Sequence, residues 1–398
     1  MTWADLGPVA TAAGWVLVVL PLALLLYAYL LYPAIMWVVA RAKPAPLPGA
    51  DPPEWPQITI TLPAYNEERA IGATIESLLA LDYPAGRRHI LVVSDASTDR
   101  TDDIVRSYAD RGVELLRLDE RSGKTAAENA AARQVRGNIV VNTDATVRIL
   151  PGSLKPLIRV FQDPRIGVAS GRDVSVGAVA EEANRGESGY VGFEMWLRAL
   201  ETRAGSIVGA SGCFYANRRE LFDVLFPAAL SRDFAAALNA VEEGYRAVSV
   251  DEAVCLVPRT LSLRSEFRRK VRTMTRGLET LWYKRPVLAR GGVLFAFQLL
   301  SHKLVRWLVF PLLPLLPLGF LLLAVENRWA GWVLLAALGG TLLGAAAFLW
   351  PGQRRPPFLL ALPGFLVGST VAGAVAWARA LRGELDPVWE PTRRPPAS

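Results

Sequence analysis

An α/β domain with a mostly parallel sheet, joined to membrane-spanning helices, is the fold class this sequence predicts, and three observations carry it. Strand-like and helix-like segments alternate between residues 58 and 144. Four long charge-poor stretches flank a charged middle. Hydrophobic residues make up 52% of the 398, too many for an ordinary soluble enzyme.

The first element is an anchor, assigned to residues 1–42. No residue from Ala13 to Val39 is charged, and Tyr27, Tyr29, Tyr32 and Trp37 crowd the end that meets Arg41 and Lys43. A cleaved signal peptide fits worse, because no Lys or Arg precedes the stretch and no small-residue cleavage site follows it. A Pro-rich linker, KPAPLPGADPPEWP, occupies 43–57. The α/β domain is assigned to 58–262. ITITL (58–62) is a β-branched strand, and Ile71, Ile75, Leu78 and Leu79 set helical spacing over 68–81. HILVVSD (89–95) is the second strand, and a helix follows from 97 to 111, with Thr98 or Asp99 as its cap. VELLRL (113–118), a helix through AAENAAARQV (126–135) and NIVVNTD (138–144) complete the alternation. Ligands of such sheets sit at the carboxyl ends of the strands. Three strand ends deliver Pro63-Ala64-Tyr65, Asp95 and Asp144 to that edge.

Beyond the domain, Leu263, Phe267, Val271, Met274, Leu278 and Leu281 recur at helical spacing among arginines, which predicts amphipathic interfacial helices over 263–303. Three apolar stretches follow within 304–379, near 304–325, 329–350 and 358–377, and a basic tail runs over 380–398. Arg41, Lys43 and the Arg-rich middle place the domain on the cytoplasmic side. The basic tail conflicts with four full spans, and whether the last stretch crosses or turns back at Pro363-Gly364 stays open.

Composition removes several chemistries. Cys213 and Cys255 are far apart and show no metal-ligand spacing. Only His89 and His302 are present, so a Ser-His-Asp or His-metal mechanism is disfavoured and a carboxylate is the expected base. The net charge of +7 clusters beside apolar stretches, which favours anionic lipid over nucleic acid as a partner. RSGKT (121–125) echoes a phosphate-binding loop, but Leu118 stands where that pattern needs its first glycine.

In order, LPAYNEE (62–68), VVSDASTDRT (92–101), GKTAAEN (123–129) and NTDAT (142–146) closely resemble the family 2 glycosyltransferases, which have the GT-A fold. The likeness continues through GASGCFYANRREL (209–221), SRDFAAALNAVEEGYRAV (231–248), EFRRKVRTMTRG (266–277) and VWEPTRR (388–394). It implies an inverting hexosyl- or N-acetylhexosaminyltransferase with a nucleotide-sugar donor, UDP-linked, and a lipid or glycan acceptor at the inner membrane. By this resemblance Pro63, Tyr65 and Glu67 line the uridine and Asp95 accepts from the base. Lys124 lies near the diphosphate, Asp144 is the first acid of the D-x-D motif that holds Mg2+ or Mn2+, and Gly212 lets backbone approach the sugar or acceptor. Asp233 is the catalytic acid residue of the motif, and Arg272 and Arg276 are candidates for diphosphate or acceptor. Two departures stand out: Thr146 replaces the second acid of D-x-D, and Arg232 replaces the acid usually before Asp233. They leave open a catalytically impaired relative that serves binding or assembly. KVRTM in place of Q-x-x-R-W argues against processive polymer synthesis.

Overall fold

The computed structural model describes residues 3–43, 47, 49–176, 185–258, 263–350, 357–384 and 388. Helices α1 (Trp3–Leu26) and α2 (Tyr32–Ala42) precede the domain. The first half of the domain runs β1 (Ile58–Ala64), α3 (Ile71–Leu79), β2 (Arg88–Ser94), α4 (Thr101–Arg106), β3 (Val113–Arg117), α5 (Lys124–Ala131) and β4 (Ile139–Thr143). The second half runs β5 (Arg148–Ile149), α6 (Leu154–Arg159), β6 (Ile166–Val176), α7 (Arg185–Ala204), β7 (Phe214–Arg218), α8 (Arg219–Phe222), α9 (Arg232–Glu242) and β8 (Arg246–Pro258). Every strand read between residues 58 and 144 forms. The helices are shorter than their sequence patterns, and Asp99 Oδ1 accepts the Thr101 N–H at 2.9 Å, close to the expected cap.

One eight-stranded sheet has the order β3-β2-β1-β4-β7-β6-β8-β5. β1 pairs parallel with β2 and β4, β2 with β3, and β6 with β8, whereas β7 is antiparallel to both neighbours and β5 is antiparallel to β8. The sheet is therefore mixed and mostly parallel. All seven residues of β1 are buried, as a central strand covered on both faces requires. Thr59 and Thr61 survive there because their hydroxyls donate to the Arg136 carbonyl and to Asn142 Oδ1. The chain steps outward from β1 to β3 and returns to β4 on the other side of β1. That reversal opens a crevice beyond the carboxyl ends of β1 and β4.

The remaining helices are α10 (Leu263–Tyr283), α11 (Val287–Arg290), α12 (Gly292–Leu299), α13 (Arg306–Leu312), α14 (Leu316–Ala324), α15 (Arg328–Leu349) and α16 (Phe358–Leu381). Four helical runs, Pro8–Ala42, Gly292–Ala324, Arg328–Leu349 and Leu359–Leu381, are long and apolar enough to cross a membrane. The second begins at Gly292, twelve residues before the stretch read from sequence. Pro363 lies inside one continuous helix, so the chain does not turn back at Pro363-Gly364. Gly364 instead permits close packing: a Cβ there would stand 2.7 Å from Ala347 Cβ. The apolar stripe of α10 also differs from the expected interfacial helix, because it meets protein as well as any lipid surface. Phe267 packs edge-on against Phe348, Lys270 Nζ donates to Ser369 Oγ at 2.6 Å, and Val271, Leu278 and Leu281 are buried. Of the tail motif VWEPTRR, only Val388 lies among the described residues.

Candidate active site

The loops after β1 and β2 are stitched together backbone to side chain. The Glu67 N–H donates to Thr101 Oγ1 (2.8 Å), the Glu68 N–H to Asp99 Oδ2 (3.1 Å) and the Thr98 N–H to Asn66 Oδ1 (2.7 Å). Asn66 and Ala96 hold φ of +52° and +56°. For Ala96, without a polar side chain to compensate, that conformation costs ~1–2 kcal/mol, so the surrounding bonds must hold it. Tyr65, next to Pro63 and Ala64, is stacked by the Arg121 guanidinium at 3.9 Å from its ring centroid.

Asp95 is buried at the end of β2, and its two oxygens accept the N–H groups of Ser122 (2.7 Å) and Gly123 (2.8 Å). Gly123 has φ +93°, which favours glycine. These donors already serve a carboxylate, so the RSGKT loop is not wrapped around a phosphate site of its own. The next residue, Lys124, opens α5 and sends its ammonium to Asp144 Oδ1 (2.5 Å) and to the Gly212 carbonyl (2.9 Å). Burial opposes its charge, but Asp144, Glu128 and Asp233 together push its pKa up. Asp144 follows β4 and starts a turn that carries Thr146, closed by the Val147 N–H on the Asp144 carbonyl at 3.1 Å.

A cavity of about 400 Å³ lies against this point. Lys124, Asp144, Gly212, Asp233, Arg272 and Arg276 all line it. Asp233 occupies the first turn of α9 and accepts from Ser231 Oγ at 2.9 Å. A Cβ on Gly212 would stand 3.0 Å from Asp233 Oδ2, so the glycine is what lets the carboxylate sit against this segment. Pro63, Tyr65, Glu67 and Asp95 are not among the lining residues. They border the crevice at the ends of β1 and β2, and Asp95 is joined to the cavity through the Gly123-Lys124 step. Arg276 is committed to structure, donating to Thr125 Oγ1 (2.9 Å) and to the carbonyls of Ala228 (3.1 Å) and Leu230. Arg232 donates to Asn129 Oδ1 and the Phe222 carbonyl, with its guanidinium 4.4 Å from the Phe222 ring centroid. The departure beside Asp233 is thus a buried brace.

Three cavity acids were not singled out from sequence. Asp173 on β6 accepts from Ser211 Oγ (2.6 and 2.8 Å) and Cys255 Sγ (3.3 Å), and burial pushes its carboxyl up against the pull of Arg198. Glu128 on α5 is 1% exposed, neither oxygen has a hydrogen-bond partner among the described residues, and burial raises its pKa. Glu194 on α7 is the third. The sequence places Glu128 on a helix without marking it as buried, and only the β6–β8 pairing brings Asp173 here. Both cysteines are free thiols, and burial followed by Asp173 raises Cys255 well above the ordinary range.

Residues 59–226 match the family model described as glycosyl transferase family 2. They are a family 2 glycosyltransferase domain. An N-acetylglucosaminyltransferase of Rhizobium sp. (strain N33) is 28% identical over 226 residues, covering 51% of this chain and 48% of that protein. A beta-monoglucosyldiacylglycerol synthase of Synechocystis sp. is 31% identical over 162 residues, covering 40% and 33%. The chain spans about half the length, or less, of these two curated relatives. A solved mannosyltransferase of Pyrobaculum calidifontis, in complex with GDP-Man and Mn2+, superposes with a TM-score of 0.72 at 23% identity, covering 94% of this chain and 99% of that one. The glycosyltransferase domain therefore has the GT-A fold, with its crevice at the carboxyl ends of β1 and β4.

Proposed function

We propose that the protein is a membrane-embedded, inverting glycosyltransferase that moves a hexosyl or N-acetylhexosaminyl group from a UDP-sugar to a lipid or glycan acceptor. The observation that carries this reading is the shared cavity: Asp144, Lys124, Gly212 and Asp233 line one space beside the apolar helices. Pro63, Tyr65, Glu67 and Asp95 hold the nucleoside at the β1 and β2 edge, and the diphosphate lies toward Lys124 and Asp144. Arg272 contributes charge from α10, while Arg276 positions the wall formed by Thr125 and Leu230. Four membrane-competent helices support a multi-pass protein of the inner membrane, and the arginine-rich middle puts the domain on the cytoplasmic face.

The acceptor hydroxyl attacks the sugar carbon from the face opposite the diphosphate, and Asp233 takes its proton as the new bond forms. As that bond forms, the carbon–oxygen bond to the diphosphate breaks, with its electron pair leaving on the diphosphate. Lys124 stabilises that growing charge more in the transition state than in the ground state. Among the described residues no group of three acids, His or Cys could hold a metal, so a hard divalent ion here would have Asp144 as its single protein carboxylate beside phosphate and water. Mg2+ or Mn2+ bound at Asp144 would supply charge neutralisation to the diphosphate. KVRTM in α10, without a Trp, favours single or few transfers.

The test is a panel of UDP- and GDP-sugars offered to wild type and Asp233→Asn in native membranes with Mn2+ or Mg2+. The expected result is turnover of a UDP-sugar, lowered ~10²-fold or more in the variant with UDP affinity unchanged. UDP binding without turnover of any donor by wild type would establish the impaired relative instead, and equal turnover by the variant would remove Asp233 from the chemistry.

A further inference from the structure

The helical run Gly292–Ala324 is 33 residues long, well beyond the ~20 that cross a bilayer. Its first part does not face lipid: Phe295 and Leu299 are buried against Val208, Phe234, Leu238 and Val241 of the domain. Its last part, Trp307 to Ala324, is a stretch of 18 residues without a charge, or ~27 Å of helix. Between the two, where the domain core gives way to apolar helix, come His302, Lys303 and Arg306, with a π-helical turn at Leu300–Val305. Ionisable groups at such depth mark function or a fixed partner, and π-turns recur at functional sites. With ~27 Å of uncharged helix beyond it, this level would stand at the headgroup surface of a bilayer.

Lys303 and Arg306 line the cavity. Arg306 donates to Glu194 at 2.8 Å and Lys303 at 3.3 Å, while His302 lies 2.6 Å from Glu201 and 3.2 Å from Glu194. Burial alone would raise the Glu194 carboxyl, but Arg306, Lys303 and His302 hold it well below its ordinary value. Arg198 is 8% exposed, 3.6 Å from Glu194, and otherwise reaches only the Ser170 hydroxyl and the Ala210 carbonyl at 3.4 and 3.5 Å. At this pole the lining sets three cations, Arg198, Lys303 and Arg306, against two carboxylates, Glu194 and Asp173, a surplus of one. A nucleotide diphosphate entering with a divalent ion is nearly neutral and leaves that surplus in place.

The surplus stands at a fixed distance from the reacting centre. Lys303 Nζ is 3.8 Å from where a Cβ on Gly209 would lie and 5.8 Å from the Phe234 ring centroid. Gly209 begins the segment whose far end, Gly212, holds Lys124, and three residues span at most ~11 Å. Two cationic poles therefore line one cavity no more than roughly 20 Å apart, with Asp233 and Phe234 alongside. Asp233 has a use as a base only if the attacking group is a hydroxyl, because a phosphate oxygen is already deprotonated.

From these observations we infer that Arg198, Lys303 and Arg306 form a second anion subsite, which holds the phosphodiester of an anionic membrane lipid whose headgroup hydroxyl is the acceptor. The inference rests on the glycosyl-transfer reading above and names the class of its acceptor. The hydroxyl gives its proton to Asp233 and bonds the sugar carbon, the diphosphate departs with the electron pair, and the lipid phosphate stays bound and unchanged.

The protein in dodecylmaltoside is titrated with dioctanoyl phosphatidylglycerol, dioctanoylglycerol and glycerol 3-phosphate, with binding read by isothermal titration calorimetry. Phosphatidylglycerol is expected to bind at least 10-fold tighter than either of the others, with Arg198→Gln losing 10-fold for it and under 2-fold for UDP, and Arg198→Lys recovering most of that loss. Equal affinity for dioctanoylglycerol overturns the anion subsite, and equal affinity for glycerol 3-phosphate overturns the lipid as its source. A parallel loss of UDP affinity in Arg198→Gln assigns these cations to the donor and overturns the inference. The wild-type comparisons stand whether or not the variants fold. UDP binding without phosphatidylglycerol binding overturns this inference alone, whereas absence of UDP binding overturns the transfer reading itself.

Discussion

Gly212→Ala is a small perturbation aimed at a single distance. The three atoms nearest the new Cβ all belong to Asp233, at 3.0 Å for Oδ2, 3.4 Å for Cγ and 3.9 Å for Cβ, and the backbone at Gly212 is not in the left-handed region. An ordinary contact begins near 3.4 Å, so the carboxylate must retreat by about 0.4 Å. A misplacement of ~1 Å costs ~10²-fold in rate, which scales to about 6-fold here. Stability should hardly change, because the ~0.4–1 kcal/mol gained by replacing glycine offsets the tight contact. The assay is steady-state nucleotide release from the donor that wild type turns over, with UDP affinity and Tm measured beside it. A kcat several-fold lower at constant UDP affinity and constant Tm is the expected result. An unchanged kcat would show that the position of the Asp233 carboxylate does not limit the reaction, and the base assignment would lose its geometric support.

Two further variants probe the groups that sequence reading left aside. Arg232→Glu restores the acid common before the family's catalytic Asp but deletes hydrogen bonds to Asn129 and Phe222 and the stacking on the Phe222 ring. It should lower stability by ~2–4 kcal/mol, read as a large fall in Tm, and a more active, equally stable variant would contradict the brace. Glu128→Gln tests a carboxyl whose pKa is raised by burial. A group that binds its proton more tightly in the folded state makes stability fall as pH rises through the unfolded value of ~4.3, until the folded value is passed. Glutamine abolishes that decline, so the variant's Tm should exceed that of wild type by a margin that widens as pH rises above the unfolded value. A margin of the opposite sign would show Glu128 acting as an ionised partner of Lys124 and Arg232.

What the sequence disclosed follows from the range over which each signal acts. β1, β2, β3 and β4 were legible because their apolar runs alternate with helical spacing over a few dozen residues. Asp144 was legible because a strand end delivers it, and Asp233 because the ordered motifs resemble a known family. Asp173 and Glu128 were not. Each acquires its character from chain that folding brings in: Asp173 from Ser211 and Cys255, Glu128 from burial and from Arg232. The use of Gly212 was partly legible, since a close backbone approach was expected, although the approaching group in the structure is the Asp233 carboxylate. The start of the second apolar run was missed because Gly292–Leu299 is apolar for a different reason, packing on α9 and its neighbours.

Two carboxylates in one cavity need different surroundings to do different work. Asp144 pairs through Oδ1 with the Lys124 ammonium at 2.5 Å, and among the described residues no hydrogen bond uses its Oδ2. That second oxygen suits it to fixing a cation near the diphosphate. Asp233 receives one hydrogen bond, from a neutral hydroxyl, and among the described residues no ion pair joins it to a Lys or Arg. Its second oxygen lies against a glycine that offers no side chain to compete. A base must keep a lone pair open toward the acceptor, and Gly212 is what keeps this one open. The same residue offers its carbonyl to Lys124, so one backbone segment sets both the cationic pole of the donor side and the position of the base.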